Sequence, residues 1–281
     1  MTFGSRLRSA IDGRGRLCVG IDPHPGLLDA WGLTDSPFGL EKFAMTAVEA
    51  LAGSVAVVKP QSAFFERHGS AGIAVLEKVV EACRAVGALV LLDVKRGDIG
   101  STVQAYADAY LDPASPLAAD AVTASPFLGF GSLDPMLDTA QKHDRGVFVL
   151  ALTSNPEGPS VQHAGGPGSS VAGGIVAAVR EDNRRAARKG LMGSVGMVVG
   201  ATTGSAVEHL GLDLASANAP LLAPGIGAQG GTADDLRRVF GAALPHVLAT
   251  SSREVLAAGP DVAALRTRAV QTAQGLREVL A

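Results

Sequence analysis

The chain has 281 residues, of which 47% are hydrophobic, and its formal net charge is −3. This length allows one large α/β domain or two small domains. The small net charge gives no overall attraction to nucleic acid or to an anionic membrane, and no apolar run approaches the roughly 20 residues that cross a bilayer, so we expect neither kind of partner.

Short strand-like runs alternate with helical patterns along the whole chain. The predicted strands cover residues 16–21, 55–60, 88–93, 118–124, 146–153, 193–201, 220–224 and 246–251. The predicted helices cover residues 38–52, 72–86, 101–111, 133–143, 171–189, a short stretch from 205, 232–240, and the sequence after the last strand.

Eight strand–helix alternations predict parallel strands joined by crossover helices, and eight is the number that closes a (β/α)8 TIM barrel. A doubly wound open sheet is the alternative. The first predicted strand is followed by DPHPG, however, and not by the GxGxxG fingerprint of a dinucleotide-binding sheet. We therefore predict one (β/α)8 barrel domain over residues 1–281.

The most informative stretch is residues 88–99, which read ALVLLDVKRGDI. The apolar run predicts a buried strand, and Asp93, Lys95 and Asp98 follow at its exit. Charged groups there are costly to desolvate unless they pair or take part in chemistry. Strand alternation sends Asp93 and Lys95 to the same side and turns Val94 away. This layout indicates a charged active site.

Polar residues also end other predicted strands, and the active sites of (β/α)8 barrels lie at the C-terminal strand ends. Besides the third strand, these residues are Asp22, Lys59, Thr153, Ser154, Asn155, Ser251, Ser252 and Arg253. Each alone could be a solvated loop charge or a helix cap. Two lysines and three aspartates at matching strand ends favour a single site at the barrel mouth.

A second signal is the loop after the seventh predicted strand, PGIGAQGG, which begins with Pro224 and Gly225 and contains Gln229. Glycine lets backbone N–H groups approach an anion closely. Arg253 follows the eighth strand, and the loops after strands seven and eight are the usual phosphate site of this fold. The alternative is a flexible turn with a surface arginine.

The sequence lacks several other kinds of site. The six histidines are scattered, no His, Cys, Asp or Glu cluster has metal-ligand spacing, and neither a GxSxG elbow nor a Walker loop occurs. We therefore expect no metal and no cofactor.

Cys18 and Cys83 fall on apolar faces, which predicts buried reduced thiols. No secretory signal is visible, so we expect a cytoplasmic protein. The Gly/Pro/Ser-rich residues 155–174 predict a long functional or mobile loop.

Together, these motifs resemble those of the orotidine 5′-phosphate decarboxylase family over residues 17–256. The matching pieces, in chain order, are GIDPHP, VVKPQ, DVKRGDI, TSN, PGIGAQGG and SSRE. The segments KPQSAFFE and VVGAT and the long loop are similar to a longer bacterial subgroup. The resemblance implies cofactor-free decarboxylation of orotidine 5′-phosphate to UMP and CO2 in pyrimidine biosynthesis by a homodimer.

By this resemblance, Lys59, Asp93, Lys95 and Asp98 form an alternating charge network. Lys95 stabilises the carbanion left at C6 of the base and then protonates it. Asp93 and Asp98 keep Lys95 charged, because opposite charges favour the ionised form. Asp98 and Thr102 reach the active site of the partner subunit, so the two sites are shared.

The resemblance also assigns contacts to the rest of the substrate. Asp22 and Lys59 bind the ribose hydroxyls, and Ser154 hydrogen-bonds the pyrimidine edge. Gln229 bridges the base and the phosphate, which Arg253 holds. The further expected substrate contacts are Pro224, Gly225 and Ser252.

Three alternatives stay open at this point. A related sugar-phosphate decarboxylase, such as that for 3-keto-gulonate 6-phosphate, would use magnesium and typically carry a glutamate where Lys59 stands. A non-catalytic barrel would bind nucleoside monophosphates without turnover. An aldolase would form a Schiff base on a strand-end lysine, but Lys95 between two carboxylates should stay protonated, which suits a proton donor better than a nucleophile.

Overall fold

The computed structural model describes residues 1–226 and 231–280, and eight parallel strands form a closed barrel in chain order. The strands are β1 (Leu17–Ile21), β2 (Val57–Pro60), β3 (Leu89–Arg96), β4 (Ala121–Ala124), β5 (Gly146–Leu152), β6 (Val195–Val199), β7 (Leu221–Ala223) and β8 (Val247–Ser251). Closure is made by β1 against β8, where Cys18 is in register with Thr250. The TIM barrel prediction is confirmed, and the open sheet is excluded.

Helices surround the barrel. They are α1 (Phe3–Arg14), α2 (Pro25–Ala30), α3 (Pro37–Leu51), α4 (Ala63–Glu66), α5 (Gly69–Ala85), α6 (Gly100–Leu111), α7 (Asp134–Lys142), α8 (Pro159–Gln162), α9 (Val171–Ala187), α10 (Ala206–His209), α11 (Ala233–Phe240), α12 (Arg253–Leu256) and α13 (Val262–Val279). Within the described residues, none of these helices combines the length and apolarity that a bilayer crossing needs.

The side chains inside the barrel change from apolar to polar along the strands. An apolar cluster fills the layers of the barrel interior before the C-terminal strand ends, and it includes Cys18, Val57, Leu91 and Phe148. Because side chains alternate along a strand, the inward position two residues after Val57 is Lys59, and that after Leu91 is Asp93. The polar layer therefore lies at the C-terminal end of the barrel.

Helix α1 covers the opposite end of the barrel. Phe3, Leu7 and Ile11 are buried in the same inner cluster, and the Phe3 ring meets Phe148 edge-on with 6.0 Å between ring centroids. A Cβ atom on Gly146 would lie 2.3 Å from the Phe3 ring, so only glycine fits there. The strand–helix pattern did not predict this helix, because it precedes the first strand.

Two other differences from the sequence prediction concern segments at the C-terminal strand ends. Strand β3 continues past residue 93 to Arg96, with a register shift against β4 between Leu92 and Arg96. Residues 155–174 are not one open loop, because they contain α8 and the start of α9, which begins at Val171 after the N-cap Ser170. The start of α9 at Val171 agrees with the helix predicted over residues 171–189, and the capping hydrogen bond from the Gly173 N–H to Ser170 Oγ stabilises it.

Candidate active site

Asp93, inside the barrel at the end of β3, is the centre of the polar layer. Its Oδ1 accepts hydrogen bonds from Lys95 Nζ at 2.6 Å and from Thr123 Oγ1 at 2.8 Å. Its Oδ2 accepts from Lys59 Nζ at 3.1 Å and from Gln61 Nε2 at 3.2 Å. Burial alone would raise the pKa of this carboxyl, but the two lysines and the hydrogen bonds outweigh burial and lower it. Among the residues that the structure describes, Asp93 is therefore a buried carboxylate that accepts hydrogen bonds from four donors.

Lys59 lies between two carboxylates at the end of β2. Its side chain is only 6% exposed, and its Nζ is 3.9 Å from Asp22 Oδ1 in addition to its bond with Asp93. Burial opposes the charge, yet Asp22 and Asp93 raise the pKa of Lys59 above its ordinary value. Asp22 Oδ1 is buried and accepts no hydrogen bond from residues 1–226 or 231–280. This oxygen can accept a hydrogen bond from a ligand.

Lys95 has an unusual backbone conformation, with φ of +45°. A left-handed conformation is uncommon for a residue with a Cβ atom, and such residues concentrate at functional sites. Its N–H donates to Thr123 Oγ1 at 2.9 Å, while its ammonium reaches Asp93. The Lys95 side chain is 46% exposed, against 9% for Asp93. The ammonium is thus anchored on one side and accessible on the other.

Asp98 and Thr102 stand apart from this cluster. Asp98 Oδ1 accepts from the N–H of Ile99 at 2.8 Å, and Thr102 is exposed in the first turn of α6. Within the described part of this chain, Asp98 forms no ion pair with either lysine. One chain therefore brings together Asp22, Lys59, Asp93 and Lys95 but leaves Asp98 outside.

The loop after β7 closes on itself at its base. Pro224 accepts a hydrogen bond from the N–H of Ala201 at 2.9 Å, and Gly225 accepts one from Gly231 at 2.9 Å. Gly225 has φ of +105°, and a Cβ atom on Gly231 would lie 2.4 Å from the Gly225 carbonyl oxygen, so both positions require glycine. Gln229 lies outside the described residues.

The ends of β5 and β8 carry the remaining predicted contacts. Ser252 Oγ packs so closely against the backbone of Gly20 that a Cβ atom added to Gly20 would lie 1.9 Å from this oxygen. Arg253 is exposed at the start of α12. Ser154 is exposed after β5, and its backbone nitrogen lies 3.3 Å from the position of a Cβ atom built on Gly200.

Two residues in contact with Asp93 were missed by the sequence reasoning. Thr123, only 1% exposed, is the inward hydroxyl of β4, and Gln61 directly follows β2. The strand-end rule could have identified Thr123, because it lies near the end of the predicted strand over residues 118–124. Threonine is common in strands, however, so a single one carries little signal.

Both cysteines are free and buried, as the sequence predicts. Burial raises the pKa of Cys18 to about 12, so this thiol below Lys59 stays neutral and unreactive. Across residues 1–226 and 231–280, the structure has no group of three or more His, Cys, Asp or Glu side chains arranged to hold a metal ion.

Residues 15–267 match the sequence profile of the Orotidine 5'-phosphate decarboxylase / HUMPS family. The chain belongs to this family. Its match begins just before β1 and ends within α13, so it spans all eight strands of the barrel.

Individual members of the orotidine 5′-phosphate decarboxylase family are similar over almost the whole chain. The protein of that name from Salinispora arenicola is 61% identical, covering 99% of this chain and 98% of the relative. The one from Nocardioides sp. is 62% identical, covering 98% of each chain. A crystal structure from Streptomyces avermitilis, assigned to the same enzyme, superposes with a TM-score of 0.92 at 55% identity and covers 99% of this chain and 96% of its own.

Proposed function

We propose that this protein decarboxylates orotidine 5′-phosphate to UMP and CO2, a step of pyrimidine nucleotide synthesis. The observation that carries the proposal is the Lys95 ammonium, held 2.6 Å from the buried Asp93 carboxylate and accessible at the mouth of the barrel. The high identity to decarboxylases of this name over nearly the full chain supports the same conclusion.

Lys95 would act on the carbon that loses CO2. When the C6–carboxylate bond of the substrate breaks, its electron pair stays on C6 in an orbital with little resonance relief. A nearby ammonium stabilises that charge, and transfer of its proton to C6 yields UMP. Lys95 is then neutral and regains a proton from solvent. Each tenfold acceleration corresponds to about 1.4 kcal/mol, so several such contributions must act together.

Asp93 and Lys59 would prepare this lysine. The Asp93 carboxylate pairs with the Lys95 ammonium and fixes its direction. Lys59 balances the buried charge of Asp93, and with Asp22 it forms a polar wall suited to ribose hydroxyls. The Asp22 oxygen that accepts no hydrogen bond within the described residues suits a hydroxyl donor.

The phosphate would bind between the ends of β7 and β8. Backbone groups near Pro224 and Gly225 would contact its oxygens, because the positive φ of Gly225 lets the chain approach closely. Arg253 would neutralise the phosphate and Ser252 would donate a hydrogen bond. We propose Ser154 and Gln229 as contacts to the base, with Gln229 also reaching the phosphate. Binding energy far from C6 can orient the base.

We further propose a homodimer in which Asp98 and Thr102 enter the partner's site. Support comes from three exposed apolar residues near Asp98: Ile99 is 62% exposed, Phe127 78% and Leu128 54%. The two loops that carry them are adjacent, because the N–H of Ser125 donates to the Arg96 carbonyl at 2.8 Å. Such a patch is typical of an interface.

We infer that the whole chain acts as one barrel domain in the cytoplasm. The buried free thiols of Cys18 and Cys83 suit a reducing compartment. The substrate is a small molecule, and the net charge of −3 gives no reason to expect nucleic acid or membrane as a partner.

The decisive experiment follows the orotate absorbance band while purified protein, dialysed against EDTA, is mixed with orotidine 5′-phosphate. We expect the absorbance to fall and UMP to form, at a rate that EDTA does not change. Binding without turnover would contradict the proposal in favour of a nucleotide-binding barrel. Turnover that requires added magnesium would favour the sugar-phosphate decarboxylase mechanism. Inactivation by borohydride with a carbonyl substrate would indicate a Schiff base.

A further inference from the structure

Arg96, the residue after Lys95, makes contacts with three different elements. Its guanidinium forms an ion pair with Glu66 at the end of α4 and donates from Nη1 to the Val94 carbonyl at 3.2 Å. Its Cζ also lies 5.6 Å from the ring centroid of Tyr106 and 6.0 Å from that of Tyr110, both on α6. A planar guanidinium can make these contacts at once, whereas a lysine cannot.

The Glu66 partner connects this arginine to the segment after β2. Glu66 also accepts a hydrogen bond from Ser62 Oγ. The N–H of Ser62 donates to the backbone carbonyl of Asp93 at 3.3 Å, and the neighbouring Gln61 side chain donates to the Asp93 carboxylate. The Arg96–Glu66 pair therefore joins the segment that follows Lys59 to the strand end that carries Asp93.

The backbone on both sides of Lys95 is held by hydrogen bonds. The N–H of Lys95 is bound by Thr123, and the Arg96 carbonyl accepts from the N–H of Ser125. The Val94 carbonyl accepts from the Arg96 guanidinium. A non-glycine residue with positive φ persists only when its surroundings fix it. Of these three hydrogen bonds, the one to the Val94 carbonyl comes from a charged side chain, that of Arg96.

A cavity of about 240 Å³ lies beside this segment. Its lining includes Phe64, Glu66, Lys95 and Arg96. Because open space borders the strand end on this side, loss of the Arg96 contacts would let the backbone at Lys95 relax toward the cavity. If side chains were tightly packed on this side, they would hold the backbone at Lys95 in place even without the Arg96 contacts.

We infer that Arg96 is a positioning residue, whose contacts with Glu66 and the Val94 carbonyl hold Lys95 in the conformation that places its ammonium on Asp93. The inference rests on the proposed function, because it assigns Arg96 a role in that reaction through Lys95. The Arg96 guanidinium faces Glu66 at the end of α4 and the rings of Tyr106 and Tyr110 on α6.

The test compares Arg96→Met, Arg96→Lys and Glu66→Gln with wild type. Methionine keeps an unbranched apolar side chain near the tyrosine rings but removes the ion pair and the bond to Val94. We measure kcat and KM for orotidine 5′-phosphate, the Kd of UMP and the Tm. For Arg96→Met we expect kcat to fall about 10- to 100-fold, since a displacement of about 1 Å can cost 100-fold. KM and the Kd of UMP should change less than about threefold, because the phosphate and ribose contacts remain.

The other two variants separate positioning from general stability. Arg96→Lys should recover part of kcat, because its ammonium can still pair with Glu66. Glu66→Gln should lower kcat in the same direction, and the double variant Arg96→Met/Glu66→Gln should lose little more than Arg96→Met alone. If Arg96→Met does not fold, these comparisons between Glu66→Gln and Arg96→Lys still decide the matter.

Arg67→Met is the matched control, because Arg67 follows the same short helix and pairs with Asp35 on the surface. It should keep the wild-type kcat. The inference is overturned if Arg96→Lys and Glu66→Gln both keep the wild-type kcat. It is also overturned if Arg96→Met lowers the Tm but has the same kcat at 25 °C as Arg67→Met. If wild type itself does not turn over, the proposed function fails instead, so the two failures are distinct.

Discussion

Thr123 donates a hydrogen bond from Oγ1 to Asp93 Oδ1, although the two residues lie on different strands. Thr123 Oγ1 also accepts a hydrogen bond from the backbone N–H of Lys95. One hydroxyl therefore fixes both the Asp93 carboxylate and the backbone of Lys95, whose ammonium pairs with that carboxylate. A single buried hydroxyl on β4 therefore controls the geometry of the proposed proton donor.

Thr123→Val tests this relationship, since valine conserves shape but cannot hydrogen-bond. Asp93 would lose one donor, and the N–H of Lys95 would lose its acceptor. We expect the free energy of unfolding to fall by about 1–3 kcal/mol and kcat to fall roughly tenfold, by loss of orientation. Urea denaturation and steady-state kinetics measure both. Thr123→Ser retains the hydroxyl and should stay close to wild type, and equal losses in both variants would argue against the hydrogen bonds as the cause.

Lys95→Ala removes the proposed proton donor. Proton transfer is worth about 10²–10⁴-fold and charge stabilisation is worth about 10²–10³-fold, and the two factors multiply, so kcat should fall by at least about 10⁴-fold. UMP should still bind, because its proposed phosphate and ribose contacts remain. Steady-state kinetics and calorimetric titration with UMP measure the two effects. Near-normal turnover would refute the assignment of Lys95.

Mixed dimers test whether the active site is shared between subunits. Asp93→Asn and Asp98→Asn should each be inactive as pure dimers. After subunit exchange, a hybrid contains one site with both substitutions and one with neither, so part of the activity should return. Native mass spectrometry verifies the exchange. If hybrids form and no activity returns, Asp98 does not act across an interface.

Phe127→Asp tests the apolar patch beside Asp98. Aromatic residues at the centre of an interface often contribute about 2 kcal/mol or more, which is roughly a 30-fold change in the dimer Kd. Sedimentation velocity over a dilution series should show earlier dissociation, with a parallel loss of activity. Phe38→Asp is the control, because Phe38 is similarly exposed at 76% but lies at the start of α3. Equal effects in both variants would contradict a dimer interface at Phe127.

The lowered pKa of His246 leads us to expect that the folded protein loses stability on acidification. Burial, together with the charges of Arg8 and Arg16, lowers the pKa of this imidazole in the folded state. The unfolded chain, with a histidine pKa of about 6.5, therefore binds the proton more readily, and stability falls as the pH drops below about 6.5. The Tm of wild type should decrease between pH 7.5 and 5.5. His246→Gln should reduce this slope, and an unchanged slope would show that another group is responsible.

The sequence by itself determined the eight strand–helix units and the strand ends at which the charges gather, whereas closure of the sheet into a barrel is seen only in the structure. Alternation of apolar runs with helical patterns required eight crossover units, and side-chain alternation along β3 placed Asp93 and Lys95 on one side. Lys59 and Asp22 followed from the same rule at the ends of β2 and β1, and the structure bears out their proximity. These features depend on local periodicity, which a sequence shows directly.

Only the tertiary structure decided which groups fix those charges in place. The contacts of Asp93 with Thr123, and of Arg96 with Glu66, each join residues 30 positions apart in the chain. The left-handed backbone of Lys95 arises where β3 shifts its register against β4, and no local pattern at a lysine specifies a positive φ. Hydrogen bonds between strands depend on barrel register, a property of the closed sheet and not of any one segment.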